Sequence, residues 1–374
     1  MKLLMITGLG SAKDLASGKR GAFYNTLEEF SKYWERIDII CPKLTSLPAN
    51  KLISYFGNVH VHISPWPLFL HPIFFIKKAL EIYKSQKFNL MTVHDFPPFY
   101  NGIAARILWQ FLKVPYVLEI FHIPGHPRAA SLKEAIYKVF FKLFIKFDVS
   151  KARAVRVMNN QVADFLVSYG VPKEKIIYIP AIYIDLDIFK PVNLPKEYDL
   201  IFIGRLEKNK GTGLLLDALN ILSITYNLKP KTLIVGAGPL KKSLELKAKN
   251  YNLRADFYGY AKNSQEIAEL INKSKILVMP SCNEGGPRVV VEALACGVPV
   301  LATPVGIVPD LLKNGLGGDI IDWNVEDVAT KISSLLNDYE RYQKHSQNGP
   351  EIARQFEKKV AIKNYADKIK QLIS

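Results

Sequence analysis

The chain has 374 residues, 49% of them hydrophobic, and a formal net charge of +16. This length exceeds one ordinary domain and predicts two domains of roughly 150 to 190 residues. The three cysteines have no metal-like or redox spacing, which argues against a disulfide framework and favours a reducing compartment. The positive charge predicts an anionic partner or surface, with nucleic acid, acidic lipid and a phosphorylated small molecule all open.

The amino-terminal segment predicts a first strand over residues 3–6 that runs into a glycine loop containing Gly8 and Gly10. It lacks the long apolar core and the small-residue cleavage site of a signal peptide. No stretch of the chain reaches the ~18 uninterrupted apolar residues of a membrane-spanning helix. We therefore expect a soluble, cytoplasmic chain, for which a peripheral position on the inner face of the cell membrane stays open.

Short apolar runs alternate with longer amphipathic stretches along the whole chain, a pattern typical of parallel-sheet α/β domains. In the first half the predicted strands cover residues 3–6, 37–41, 60–63, 90–94, 116–121, 154–158 and 176–179. The second half restarts the pattern at residues 200–203, 232–235, 256–258, 276–279 and 298–302.

A polar, proline-bearing segment over residues 185–195 predicts an interdomain linker. The predicted domains therefore cover residues 1–184 and 185–351. A basic helix over about residues 352–374 ends the chain, and we expect it to pack back on the first domain.

A lysine stripe distinguishes one helical stretch of the first half. Lys138, Lys142 and Lys146 recur every four residues among aromatic and aliphatic side chains. A helix with one basic face and a broad aromatic face suits an anionic membrane surface. A core helix whose lysines mark its solvent side is the alternative.

Basic residues follow the strand predicted at residues 200–203. Gly204 permits a ligand to approach the backbone at the carboxyl end of the strand, where open α/β sheets bind ligands. Arg205 offers a planar fork of donors and Lys210 a mobile point charge, so the two are suited to neutralising a diphosphate. A solvated basic loop is the alternative.

Glycines follow two other predicted strands. Gly236 and Gly238, after the strand at residues 232–235, fit either a nucleotide loop or a tight turn. The loop that contains Gly8 lacks a complete Gly-x-Gly-x-x-Gly pattern, which weakens an oxidoreductase interpretation.

Two glutamates, Glu284 and Glu292, bracket a segment that predicts a helix. Pro287 suits a first helical position and Gly297 the position just past the end. All faces of this helix are apolar, so Glu292 is predicted to be buried, and a buried carboxylate needs hydrogen-bond donors. Hydroxyls of a ligand and an arginine or lysine in the core are equally suitable partners.

Four stretches in order resemble the family-four retaining glycosyltransferases of group 1, which have the GT-B architecture. They are Gly204-Arg205-Leu206 with Lys210-Gly211, residues 235–240, Pro280-Ser281 with Glu284 through Glu292, and residues 295–303 with Gly306. More loosely, residues 118–122 resemble the strand end whose histidine, here His122, faces the donor sugar, and residues 179–191 resemble the entry to the linker. The resemblance implies two Rossmann-like domains facing each other across a cleft, with the acceptor bound by the first and a nucleotide diphosphate sugar by the second.

The resemblance also implies roles for individual residues. Arg205 and Lys210 would stabilise the leaving diphosphate, with help from backbone N–H groups near Gly285 and Gly286. Glu284 would hold hydroxyls of the donor sugar, Glu292 the ribose hydroxyls, and His122 would lie near the reacting sugar. Tyr260 is a candidate neighbour of the base.

The implied enzyme is a metal-independent, retaining hexosyltransferase without a cofactor, whose donor is a sugar nucleotide such as a UDP-sugar or GDP-mannose. The sequence shows no Asp-x-Asp metal pair with supporting ligands. Membrane association would favour a lipid-linked glycan or glycolipid as acceptor. One departure from the family pattern is Gly286-Pro287-Arg288, where an aromatic or small residue, glycine and leucine are usual.

Three other functions are compatible with parts of the sequence. A sugar-nucleotide epimerase shares the architecture and would consume a nucleotide sugar without an acceptor. A non-catalytic nucleotide or carbohydrate sensor would bind without turnover. A nucleic-acid binder explains the net charge but leaves Glu284 and Glu292 without a purpose, so nucleic acid is not the expected partner.

Overall fold

The computed structural model describes residues 1–8, 15, 22–43, 52–95 and 100–373, so the predicted loop residue Gly10 lies outside the described residues. The chain divides into two units. The first unit comprises Met1–Pro124, Ala135–Ala181 and Lys359–Ser374, and the second comprises Gly125–Glu134 and Ile182–Lys358. The division differs from the predicted 1–184 and 185–351 chiefly in assigning the short segment 125–134 to the second unit.

An eight-stranded sheet forms the centre of the first unit, in the order β3-β4-β2-β1-β5-β6-β7-β8. All neighbouring strands are parallel except β3 and β4. The strands are β1 (Lys2–Ile6), β2 (Arg36–Cys41), β3 (Leu52–Tyr55), β4 (Val59–Ile63), β5 (Leu90–His94), β6 (Tyr116–Ile120), β7 (Ala154–Val157) and β8 (Ile176–Tyr178). Helices along this part of the chain are α1 (Ala22–Ser31), α2 (His71–Gln86), α3 (Tyr100–Leu112), α4 (Leu132–Val149) and α5 (Asn160–Ser168).

A six-stranded parallel sheet forms the centre of the second unit, in the order β11-β10-β9-β12-β13-β14. The strands are β9 (Tyr198–Ile203), β10 (Thr232–Val235), β11 (Ala255–Gly259), β12 (Ser274–Met279), β13 (Val300–Ala302) and β14 (Gly318–Ile320). Helices are α6 (Thr212–Thr225), α7 (Lys241–Asn250), α8 (Ser264–Asn272), α9 (Arg288–Ala295), α10 (Val308–Leu312), α11 (Val325–Asn337), α12 (Tyr339–Arg354) and α13 (Lys358–Lys370).

The predicted α/β class is confirmed, and every predicted strand is present. Two strands were missed. Strand β3 is a four-residue edge strand with half-exposed and exposed side chains, and β14 is three residues long and begins at a glycine. Neither contains the apolar run on which strand prediction depends.

The prediction of one long helix at the carboxyl end was wrong. Helix α12 ends at Arg354 and α13 begins at Lys358. Between them the backbone pairs with Ile184, whose N–H donates to the Phe356 carbonyl at 2.9 Å and whose carbonyl accepts from the Lys358 N–H at 2.8 Å. These bonds replace helical ones, which is why the helix is interrupted.

Helix α4 carries the predicted lysine stripe, but apolar residues make up much of its exposed surface. Lys138 and Lys142 lie over the rings of Phe165 and Tyr169, at 5.6 and 4.6 Å from the ring centroids. One face of the helix is buried in the core, and the exposed apolar face consists of Ile136, Val139, Phe140, Leu143 and Phe147. Among helices of the described ranges, none has the length and apolar character needed to cross a membrane.

Candidate functional site

Glycines bring two turns into contact at the carboxyl edge of the second sheet. Gly236 follows β10 with φ of +140°, and a Cβ there would lie 1.9 Å from the Gly204 carbonyl oxygen. A Cβ at Gly238 would lie 2.5 Å from the Leu206 carbonyl oxygen. The structure therefore explains these two glycines by close backbone packing, the tight-turn alternative of the sequence analysis.

The loop after β9 meets the loop after β12 in the same way. Gly211 has φ of +71°, and a Cβ on it would lie 1.9 Å from the Pro280 carbonyl oxygen. This contact places Lys210, at the end of a short 3-10 turn, beside Glu284. Lys210 Nζ forms an ion pair with Glu284 Oε1, and Ser281 Oγ donates to the same oxygen at 3.0 Å.

A cavity of about 200 Å³ opens beside this ion pair. Both paired side chains are mostly withdrawn from solvent, with 18% and 17% of their side-chain surface exposed. The cavity combines charged groups with a glycine, a proline and apolar strand ends. Its lining consists of Phe202, Ile203, Lys210, Met279, Ser281, Glu284, Gly286, Pro287, Arg288 and Val289.

Helix α9 begins at the edge of the cavity and carries Glu292. Pro287 is the residue before the helix rather than its predicted first residue, so the first N–H of the helix belongs to Arg288. Gly297 lies just past the end, as predicted, with φ of +67°. Its N–H donates to the Leu294 carbonyl, and the Val298 N–H donates to the Ala293 carbonyl, which closes the last turn.

Glu292 is buried, as predicted, with 6% of its surface exposed. Its partner is Arg288, one turn earlier on the same helix, whose Nε donates to Oε1 at 2.7 Å. Burial raises the pKa of the Glu292 carboxyl, and the nearby Arg288 charge and its hydrogen bond lower it, with burial the larger effect. The arginine alternative for the partner of Glu292 is therefore present in the structure, supplied by the helix itself.

Four residues that sequence analysis gave no role keep the Glu284 loop in place: Ser281, Thr303, Gly306 and Trp323. The carbonyl of Ser281 accepts hydrogen bonds from Thr303 Oγ1 at 2.6 Å and from Trp323 Nε1 at 2.8 Å. Gly306 packs on the next turn, since a Cβ there would lie 2.3 Å from the Gly285 carbonyl oxygen. Ser281 and Thr303 lie within matched stretches, whereas Trp323 has no signal in the sequence.

Two predicted residues of the second unit are not among those that line this cavity. Arg205 pairs with Glu207 at 3.0 Å, and 62% of its side-chain surface is exposed. Tyr260 follows β11 and is 75% exposed. In the first unit, His122 is exposed two residues after the end of β6, and its assignment stays a prediction.

The two units, built on largely parallel sheets, have a Rossmann-like architecture. The cationic and acidic side chains at the carboxyl edge of the second sheet form a candidate ligand site. Models of two families match almost the whole chain. Glycosyltransferase Family 4 matches residues 24–182, and Glycosyl transferases group 1 matches residues 184–352. The chain therefore belongs to the glycosyltransferases of family 4 and group 1, which these two models describe.

Individual proteins agree with this assignment. An α-1,4-N-acetyl-D-galactosaminyltransferase of Campylobacter jejuni, named for an undecaprenyl-diphosphate-linked substrate, is 28% identical over 76% of this chain and 74% of its own length. Sucrose-phosphate synthase of Thermosynechococcus elongatus has the same fold, with a TM-score of 0.82, 19% identity, and coverage of 100% of this chain and 99% of its own. HepE of Anabaena, solved with UDP and glucose, has a TM-score of 0.72, 18% identity, and coverage of 99% and 100%. The fold is GT-B.

Proposed function

We propose that the protein transfers a sugar, with retention of configuration, from a nucleotide diphosphate sugar to a hydroxyl acceptor. The observation that carries this proposal is the Lys210–Glu284 ion pair at the edge of the cavity. A cation and a carboxylate side by side match the two parts of such a donor, an anionic diphosphate and a neutral sugar rich in hydroxyls. The UDP and glucose named for the HepE structure support the same donor class.

Polar groups in and near the cavity have the following roles in this proposal. Lys210 stabilises negative charge that grows on the leaving diphosphate, an electrostatic contribution that is usually large in such reactions. Glu284 accepts hydrogen bonds from sugar hydroxyls, and Ser281 fixes its orientation. Glu292 accepts from the ribose. Backbone N–H groups near Gly285 and Gly286, just before α9, add to the anion site.

Arg205 joins Lys210 as the second cation only if it leaves Glu207. Exposed ion pairs of this kind contribute about 0–1 kcal/mol, so an incoming diphosphate displaces Glu207 at little expense. Retention then requires the leaving phosphate oxygen to help deprotonate the acceptor on the same face of the sugar. No resident cofactor takes part in this scheme.

A panel of nucleotide sugars, free nucleotides and oligonucleotides tests the donor site. We expect one sugar nucleotide to raise the melting temperature of the protein most, and single-stranded oligonucleotides to raise it less at equal charge. Incubation of that sugar nucleotide with acceptors then separates the activities. Consumption of the sugar nucleotide without any acceptor would identify an epimerase, and binding without turnover would identify a sensor. A product whose anomeric configuration is the same as that of the donor supports retention.

The proposed acceptor is a lipid-linked glycan or glycolipid at an anionic membrane surface. The substrate named for the Campylobacter relative is lipid-linked. The exposed apolar face of α4 supplies a surface to insert at the lipid interface, and the +16 charge supplies the attraction to anionic headgroups.

Co-sedimentation with vesicles of anionic phospholipid tests the membrane surface at low and high salt. We expect binding at low salt that falls as salt rises. Phe140→Asp with Leu143→Asp should reduce the bound fraction, whereas Ile224→Asp, at a more exposed aliphatic position on α6, should not. Absence of wild-type binding at low salt would contradict the membrane proposal and leave the donor site untouched.

A further inference from the structure

Arg288 occupies an unusual position between the solvent and a buried carboxylate. It is the first residue of α9 and lines the cavity, with 38% of its side-chain surface exposed against 8% for Glu292. Its Nε–H is used by Glu292 Oε1 at 2.7 Å. Within the described ranges no donor reaches Glu292 Oε2, so this oxygen is left to accept from a ligand.

Without a counter-charge, Glu292 would be a poor acceptor. Burial favours the neutral acid and raises the pKa of its carboxyl, while Arg288 acts in the opposite direction. The other ionisable group that interacts with Glu292 is the thiol of Cys296 at the end of the helix. Burial raises the pKa of this thiol to about 12, so it stays neutral. Arg288 therefore supplies the balancing charge for Glu292.

We propose that Arg288 is a positioning residue: it keeps Glu292 ionised and its Oε2 turned to the donor, so that the pair rather than the carboxylate alone receives the ribose hydroxyls. This inference rests on the proposed donor site. The guanidinium of Arg288 holds Oε1 through Nε alone within the described ranges, so Oε2 keeps its capacity to accept. An ionised carboxylate accepts hydrogen bonds at both oxygens, whereas a protonated one uses part of its capacity as a donor.

The pH dependence of nucleotide binding follows from this arrangement. In Arg288→Gln the pKa of Glu292 rises further, because the charge that opposes burial is gone. The carboxyl then takes up a proton at a higher pH than in the wild-type protein, and the affinity falls with it. In the wild-type protein the same loss occurs at lower pH.

The experiment measures the Kd of UDP or GDP, whichever nucleotide the panel selects, between pH 6 and 8.5. We expect Arg288→Gln to bind about tenfold more weakly at pH 6.5, which corresponds to about 1.4 kcal/mol, and to approach the wild type at pH 8.5. Glu292→Gln should bind weakly at every pH. Arg288→Gln in the Glu292→Gln background should add no further loss.

Two outcomes would overturn this inference but not the proposed donor site. The first is wild-type affinity of Arg288→Gln at all pH values. The second is an equal loss of nucleotide affinity when Arg288→Gln is added to Glu292→Gln, which would mean that Arg288 contacts the nucleotide directly. Failure of the wild type to bind either nucleotide would overturn the donor site itself. If Arg288→Gln does not fold, Arg288→Lys serves instead. Lysine keeps the charge but lacks the fixed fork, so the Kd of this variant should exceed that of the wild type at pH 6.5 and approach it at pH 8.5.

Discussion

Two buried carboxylates, Glu119 in the first unit and Glu292 in the second, are each paired with an arginine, but the pairs differ in how fully their hydrogen bonds are used. Glu119 Oε1 accepts from Arg156 Nη1 and from Tyr365 Oη, both at 2.7 Å. Arg156 and Glu119 expose only 3% and 6% of their side-chain surfaces. By contrast, Arg288 of the Glu292 pair lines a cavity and has more than a third of its side-chain surface exposed.

The remaining bonds of Arg156 complete the contrast. Its Nε donates to the Ile179 carbonyl at 3.0 Å and its Nη2 to the Pro180 carbonyl at 3.1 Å, while the guanidinium lies 3.7 Å from the centroid of the Tyr365 ring. All three nitrogens are thus engaged within the first unit. A pair whose arginine is engaged on all three nitrogens within its own unit belongs to the fold, whereas a pair whose arginine lines a cavity is available to a ligand.

Arg156→Met should cause the largest loss of stability, because it leaves Glu119 buried without a counter-charge. We expect the free energy of unfolding to fall by about 3–5 kcal/mol. Denaturant titration followed by circular dichroism measures the change. Arg153→Met is the control: Arg153 is exposed, and its side chain donates to the Leu372 carbonyl, so its loss should change stability by less than about 1 kcal/mol. Equal effects of the two variants would show that the buried pair has no special weight.

Lys210→Ala tests the open region of the second unit. Removing the cation should lower the rate of sugar transfer about 10²- to 10³-fold, because charge on the leaving diphosphate loses its partner. The melting temperature should change little. Lys208→Ala, an exposed lysine of the same turn, is the matched control and should keep near wild-type turnover. Unchanged turnover in Lys210→Ala would remove the basis of the proposed donor site.

Tyr365→Phe removes one hydrogen bond from the Glu119–Arg156 pair and leaves both charges of the pair in place. The hydroxyl donates to a carboxylate, and such a bond contributes about 1.5–3 kcal/mol. The ring stack on Phe30, with centroids 4.8 Å apart, is retained. We expect a lower melting temperature and unchanged Kd for the sugar nucleotide. A change in nucleotide affinity would contradict the assignment of this pair to the fold alone.

Asp148→Asn examines a third kind of buried carboxyl, one without a cationic partner. Neither carboxyl oxygen of Asp148 has a hydrogen-bond partner within the described ranges, and burial, followed by the charge of Asp95, raises the pKa of Asp148. The pKa of Asp148 is higher in the folded state than in the unfolded state. The free energy of unfolding therefore falls as pH rises above the unfolded-state pKa. The variant should therefore be more stable by on the order of 1 kcal/mol.

The advantage of Asp148→Asn over the wild type should grow between pH 5.5 and 8, since only the wild type must keep a proton on this carboxyl. Melting temperatures of both proteins at the two pH values measure it. Gly102 packs against this carboxyl, and asparagine has nearly the same shape as aspartate, so no new clash is expected. A difference that does not vary with pH would contradict the raised pKa.

Sequence analysis succeeded where the determining residues are close together in the chain. The second sheet and the segment from Glu284 to Glu292 follow from local patterns. The Arg288–Glu292 pair was also within reach, because residues four apart lie on the same face of a helix. The bonds of Glu119 could not be foreseen, since Arg156 lies 37 and Tyr365 lies 246 residues away. The Trp323 contact and the break before α13 depend on similarly distant partners.

The position of α13 in the first unit has a consequence for synthesis of the protein. Residues 1–124 and 135–181 leave the ribosome long before residues 359–374, which complete the same unit. Until then Glu119 and Arg156 lack Tyr365, and Phe30 lacks the ring that stacks on it. Domains usually fold in the order in which they are translated. Here we expect the second unit to finish folding first, and a ribosome-bound chain lacking its final helix should remain sensitive to proteases in its amino-terminal half.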